Sequence, residues 1–384
     1  MGEAFRIFCW GFIMLLYKFY RPGENFNKAL RYSEIYFSSN KQLNDPNDLK
    51  AKYFFEDSED LWFRLLHSEA PMGPSLTTFL KLESKQLSKG LNDIFKGIKV
   101  DANAKSLNKI FDDNKIKIEG LIRSSIKDIA EIPDSHYFRL EDPVPFLVES
   151  CMFGLRELAF KGIKTEVYSV SFSTNPLEPM MWAHYADGFK GCAVIYYAEN
   201  NELPLTRNIY SESFMRFPIH KVDYHDGEKL IPILQCSMGE QGPIEQALLK
   251  KNSFWHYESE RRAFIFKNQR LVLAALNDVD KIPEWEERVF HTHPERIAGV
   301  IFGPAFDESK KYLVEFRLRR TKEATKCKPN FYLFDTQLND NGTITITKAK
   351  QCKPSAQLTP RDLVSRTFEG AQLDELLQKM GINQ

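Results

Sequence analysis

The sequence predicts an α+β fold: a mixed, mainly antiparallel sheet core with a helical insertion. Short apolar runs bounded by Gly, Pro, Asn and Asp mark strands in the first 40 residues and again after residue 165. Apolar residues recur at helical spacing from about 57 to 130. The strands do not alternate regularly with helices, as a parallel βαβ sheet requires.

The elements follow in order. Ile7–Tyr17 is apolar for eleven residues. That is too short to span a bilayer, and KFYRP offers no small-residue cleavage site, so a buried strand is expected there. Met14 offers a second start, which would make residues 1–13 an upstream extension. Leu15–Tyr20 reads as a strand ended by Pro22-Gly23, Phe26–Tyr32 as a short helix, and Ile35–Ser38 as a second strand. QLNDPND at 42–48 is a turn rich in Asn, Asp and Pro. The Lys-rich helical middle looks like an insertion and not a core. A helix is expected at about 145–160 and a strand at Glu166–Ser173. Asn175-Pro176 supplies an N-cap and a first-turn Pro for a helix to about Ala186. Cys192–Tyr197 and His220–Tyr224 read as strands and Pro243–Lys251 as a helix. Trp255–Phe266 becomes a strand after its first turn. Ile297–Phe302 is a buried strand, Ser309–Arg319 is helical, and FYLFDTQ-NDNG-TITIT is a hairpin. The expected units are 1–56 (N-terminal strands and turn), 57–135 (helical insertion), 136–350 (main core) and 351–384 (a tail with a short helix).

Lys plus Arg and Asp plus Glu both number 52 in 384 residues, so the net charge is zero. No chain-wide attraction to nucleic acid or an anionic membrane is indicated. Cys9, Cys151, Cys192, Cys236, Cys327 and Cys352 form no CxxC pair. They read as reduced, buried thiols in a cytoplasm, and no metal is indicated. The Asn/Asp cluster lacks calcium-loop spacing, so a plain Asx turn is expected. His291 and His293 read as exposed. There is no Walker loop, GxGxxG, GxSxG or HExxH.

Two stretches carry chemistry. In Glu166–Ser173, strand alternation puts Val167, Ser169, Ser171 and Ser173 on one face. Small hydroxyls leave room that Val or Ile would fill. On the following helix Leu177, Met181 and His184 fall together, as do Glu178, Trp182 and Tyr185. Met180, Met181 and Trp182 read as packing, while His184 and Tyr185 join Ser171 and Ser173 as a candidate wall. In YESERR, a strand would point Glu258, Glu260 and Arg262 one way. Arg262 would hold one carboxylate, leaving the other to bind a hydroxyl or stabilise a cation. Lys18 and Arg21 sit among aromatics, where a cation can stack.

The ordered set LYKFYRP, IYFSS, LNDPND, SFS, Trp182–Gly191, WHYESERR and FGP resembles bacterial domain-of-unknown-function family 2971 over roughly 15–350. LYKFYRP carries one residue more than that family's usual LYKYRP. The order of a basic first strand, a serine strand and an ExE strand also resembles ADP-ribosyltransferases. That resemblance implies NAD as the cofactor. It implies Glu260 as the glutamate that contacts the ribose and stabilises an oxocarbenium-like transition state. Ser171 and Ser173 would line the nicotinamide pocket, with Lys18 or Tyr17 on the first strand. The reading that follows is a cytoplasmic effector using NAD or another nucleotide, in phage defence or toxin systems. The alternative is a ligand-sensing or protein-binding module, such as a defence accessory or antitoxin. A nuclease is a third option.

Overall fold

Strand β1 (Ile13–Tyr20) opens the computed structural model, which describes residues 13–67, 82–127, 142, 144–163, 166–208, 211, 213–267, 285–354 and 366–383. Positions 7–12 of the expected apolar run lie outside the described residues, as does Cys9. In β1 the period of two sends Leu16 and Tyr20 into one apolar cluster and Tyr17 into another. Helix α1 (Glu24–Tyr32), β2 (Glu34–Tyr36), β3 (Ser38–Ser39) and β4 (Lys52–Phe54) follow. Next come α2 (Glu59–His67), α3 (Ser84–Phe95), β5 (Lys99–Val100), α4 (Ala104–Asp113), α5 (Lys115–Ser124) and α6 (Val144–Lys161). The serine strand is β6 (Glu166–Ser173), followed by α7 (Pro179–Tyr185), β7 (Cys192–Glu199), β8 (Glu202–Thr206), β9 (Met215–Pro218), β10 (His220–Lys221), β11 (Asp223–Tyr224) and β12 (Leu230–Pro232). Then come α8 (Ile233–Ser237), α9 (Gly242–Leu248), β13 (Lys250–Lys251), β14 (Glu260–Lys267), β15 (Val289–Thr292), β16 (Ile297–Phe302) and α10 (Lys311–Ala324). The hairpin β17 (Phe331–Leu338) and β18 (Ile344–Cys352), then β19 (Thr367–Phe368) and α11 (Ala371–Met380), complete the chain.

The fold is α+β, as expected. The large sheet runs β10-β14-β6-β1-β7-β16-β17-β18-β19. Its neighbours along that path are antiparallel except β16 and β17. The parallel pair is joined through α10, since parallel strands need a long crossover. Strands β6 and β14 pair over eight residues, from Glu260↔Ser173 to Lys267↔Glu166. This register lays the ExExR segment beside the serine row. Among the described residues, no helix is long and apolar enough to cross a membrane.

The helical middle corrects one expectation: it carries a core. Phe55, Trp62, Phe95 and Phe111 are fully buried and in ring contact, with Phe55 and Trp62 stacked at 5.8 Å. Burying each such ring contributes roughly 1.5–3 kcal/mol, which a solvated insertion would not gain. Positions 68–81 and 128–135 of the expected helical stretch lie outside the described residues.

Four local readings also change. Helix α7 starts at Pro179 with Glu178 as its cap, whose carboxylate accepts from Met180 N at 3.2 Å. Asn175 instead closes an Asx turn by accepting from Leu177 N at 3.1 Å. The Trp182 indole clamps that turn by donating to Pro176 O at 2.8 Å. Met180, expected as packing, is 43% exposed, whereas Met181 and Trp182 are buried. Trp255–Phe266 turns into a strand after a first turn, as expected, but the 3-10 turn Ser253–Glu258 delays β14 to Glu260 and so leaves Glu258 outside the strand. His220–Tyr224 splits into two strands that pair with different partners.

Candidate functional site

A cavity of about 370 Å³ opens between β1, β6, the 38–48 segment, α7 and the turn into β14. Its lining includes Tyr17, Lys18, Ser171, Ser173, Tyr185, Glu258 and Glu260. The structure thus brings together seven of the nine residues singled out from the sequence. Tyr168, Val170 and Phe172 point into the opposite, apolar cluster, which turns Ser169, Ser171 and Ser173 toward the cavity.

The floor is a buried ion network. Arg262, fully buried, donates from both terminal nitrogens to the two Asp48 carboxylate oxygens at 2.8 Å each. Its Nε donates to Glu260 Oε1 at 2.9 Å and one terminal nitrogen to Leu248 O at 3.1 Å. Lys251 Nζ donates to Glu258 Oε2 at 2.5 Å and Glu260 Oε2 at 3.0 Å, and lies 3.5 Å from Asp48 Oδ2. The Tyr185 hydroxyl donates to Glu258 Oε1 at 2.5 Å. Glu260's own backbone N donates to the Tyr224 hydroxyl at 2.8 Å. Strand alternation does not bring Glu258 here. Ser259, left-handed at φ 45°, turns the chain out of the 3-10 segment and sets Glu258 beside Glu260.

The two carboxyls differ in ionisation. Burial pushes Glu258 up to about 7, helped by the Glu260 charge and opposed by Lys251 and Tyr185. Burial also raises Glu260, but the Arg262 and Lys251 charges and a Ser171 hydrogen bond outweigh it and hold Glu260 well below the usual range. Environments that separate two carboxyls in this way suit one to exchange protons and the other to remain charged. Lys18, on the wall, is lowered to about 8 by burial, against the pull of Glu260. Its Nζ donates to Ser171 O at 3.4 Å and lies over the Tyr20 and Phe172 rings at 5.8 and 5.6 Å.

Two candidate catalytic residues take other places. Arg262 has no exposed surface, so it positions Asp48 and Glu260 and meets no substrate. His184 is exposed and outside the lining; its Nδ1 is 2.9 Å from the Tyr257 hydroxyl. Its backbone O accepts from Arg21, which does line the cavity. Exposure outweighs helix periodicity here: the face of α7 that meets the cavity carries Met181 and Tyr185.

Asp48, Lys251 and Ser169 belong to the site although the sequence did not assign them to it. Asp48 ends the LNDPND turn, whose Asx bond from Asn47 N to Asp45 Oδ1 is present at 2.8 Å. The turn reading hid a second role for its last acid. Lys251 sits in a polar Lys-Lys pair with no local signal. Ser169 lies on the same strand face as Ser171 and Ser173 and lines the same cavity.

No protein-family model, curated protein or solved structure matches this chain. A permanent carboxylate, a carboxyl titrating near neutrality, a hydroxyl wall and a lysine share one cavity.

Proposed function

We propose that the protein uses NAD or another nucleotide and cleaves its N-glycosidic bond, in the manner of an ADP-ribosyltransferase. The observation that carries this reading is the pair Glu258 and Glu260, facing one cavity with their ionisation pushed apart. When the C1′–N bond breaks, its electron pair neutralises the departing nicotinamide. The ribosyl carbon gains oxocarbenium character, which the Glu260 carboxylate stabilises. Glu258 takes the proton of the incoming acceptor, water or a target side chain, as the new bond to C1′ forms. Ser171 and Ser173 offer hydroxyls to the nicotinamide amide, and Lys18 a positive charge on the first strand. Tyr17 and Tyr185 supply the walls.

Incubation with NAD should release nicotinamide, measurable by chromatography. Glu260→Gln should cut the rate by about 10²–10³. Because Glu258 acts as a base, the rate should rise with pH through about 7. No release from NAD, together with undiminished toxicity of Glu260→Gln in cells, would exclude the reading.

A second reading has its own support. All four oxygens of Glu258 and Glu260 already accept from Tyr185, Lys251 or Arg262. A network this complete also suits a ligand-sensing module that binds without turnover. In that case NAD or ADP-ribose raises the melting temperature and no product forms. The nuclease reading draws less support, because Lys251 and Arg262 already neutralise the carboxylates that would hold a catalytic cation.

A further inference from the structure

We infer that His293, Glu295 and Cys327 form a site for a divalent transition metal, with zinc the fitting ion. The imidazole, carboxylate and thiol offer ligand atoms that all lie within 4.8 Å of one another. Among the described residues, no other group of three or more His, Cys, Asp or Glu side chains brings its ligand atoms so close. The site joins two segments distant in sequence: the β15–β16 connection and the chain just past α10.

Each side chain is placed by local structure. Pro294–Arg296 is a 3-10 turn with His293 as its N-cap, and Glu295 N donates to His293 Nδ1 at 3.3 Å. That bond puts the ring proton on Nε2 and occupies the Nδ1 lone pair, so metal binding exchanges this weak hydrogen bond for a metal–nitrogen bond; Glu295 Oε2 lies 3.8 Å from the same nitrogen. On the other segment Lys326 is left-handed at φ 55°, and Cys327 N donates to Lys322 O at 2.8 Å. This reversal brings the buried Cys327 back against the turn, with Thr325 Oγ1 3.0 Å from its Sγ.

The donor set selects the ion. Thiolate, imidazole and carboxylate suit zinc, whereas calcium and magnesium take oxygen ligands. Bonds of roughly 2.0–2.3 Å to a tetrahedral centre put ligand atoms about 3.3–3.8 Å apart. The three side chains need to close by about 1 Å, a change that small side-chain rotations supply. Three ligands leave the fourth position open to water. His293 and Glu295 are part-exposed, so the ion reaches the site from solution.

Lys322 sets the limits of affinity. Its buried ammonium donates to Pro294 O at 2.7 Å, the carbonyl between the two turn ligands, and so holds the turn in place. The same charge acts on Cys327 and Glu295. Thiolate and carboxylate balance a dication, and Lys322 adds one positive charge. Binding is therefore weaker than at an all-thiolate site, and it displaces the Cys327 proton to solvent.

The test uses the full chain, reduced and stripped with a chelator, with Co²⁺ alone as the probe. The expected result is one equivalent bound, with a thiolate-to-cobalt charge-transfer band and the intense visible bands of a tetrahedral centre, all abolished by added Zn²⁺. Cys327→Ser should remove the charge-transfer band. Glu295→Gln, at a part-exposed position that folding tolerates, should keep the band and weaken binding roughly tenfold or more. No stoichiometric uptake by the wild type would overturn the assignment. So would a thiolate band that survives in Cys327→Ser, or binding unchanged by Glu295→Gln. None of these readouts depends on NAD.

Discussion

Asp48 and Arg262 lie 214 residues apart and form the one two-pronged pair in the cavity floor. Removing one partner of a buried ion pair leaves an uncompensated charge, which costs about 3–5 kcal/mol. Asp48→Asn should therefore lose stability on that scale in urea unfolding; a loss below about 1 kcal/mol would show that Glu260 alone suffices for Arg262. Glu258 carries a pH signature. Its folded-state value near 7 lies above the usual 4.5. Between those values the unfolded chain sheds this proton while the folded chain keeps it, so the group lowers stability as pH rises. Glu258→Gln cannot ionise, so it should gain on the wild type from pH 5 to 8, on the order of 1–3 kcal/mol. A stability difference that stays flat over that range would show that Glu258 titrates normally. Period-two alternation was enough to place Glu260 with Arg262, and the serines on one face. It could not reach Asp48 or Lys251, because the charges that make them part of the site come from distant segments.

At the scale of elements, Gly191 shows how tightly β1 and β7 are set. A Cβ there would sit 2.1 Å from Tyr20 O, a backbone atom at the end of β1. That carbonyl cannot swing aside without disturbing the adjacent pair Tyr20↔Cys192. Gly191→Ala should cost about 1–3 kcal/mol as an overpacking change, read from the shift in denaturation midpoint at constant slope; a neutral result would mean that β1 slides freely at this end. The long strands and the NDNG hairpin were legible because their side-chain pattern and turn residues are local. The two-residue strands β5, β13 and β19 were not, since only their partners define them, and His220–Tyr224 showed as one strand where different partners make two. The sequence points to Asn175-Pro176 as the start of α7 because Asn is a preferred N-cap, whereas Glu178-Pro179 shares with it only a Pro at the first helical position. What separates them is the Trp182 indole clamp on Pro176, a contact made only once the helix has formed.

For the whole molecule, the question is whether the helical middle can be separated from the sheet. Strands β6 and β14 are shared between cores. Tyr168, Val170, Phe172 and Ala263 pack into the sheet cluster, while Val167, Phe264 and Phe266 pack against the helical one. Helix α6 gives Leu155 and Leu158 to the same helical cluster. Glu56, at the edge of the middle, accepts from the first amides of α8, Leu234 N at 2.9 Å and Gln235 N at 3.0 Å. Strand β4 pairs on one side with β5 from the middle and on the other with β12 from the later chain. Net charge and composition predicted none of this, because amphipathic helices read alike whether they pack on each other or on a neighbouring sheet. Removing 57–135 and bridging the gap with a short Gly/Ser linker would uncover the inner faces of α6, β6 and β14, several large apolar side chains at roughly 1.5–3 kcal/mol each. That loss is comparable to the 5–15 kcal/mol by which a typical domain is stable. The shortened chain should therefore show no cooperative thermal transition by circular dichroism and should be cut rapidly by protease. A sharp transition near that of the full chain would mean instead that the sheet folds alone and that the middle is an appended unit.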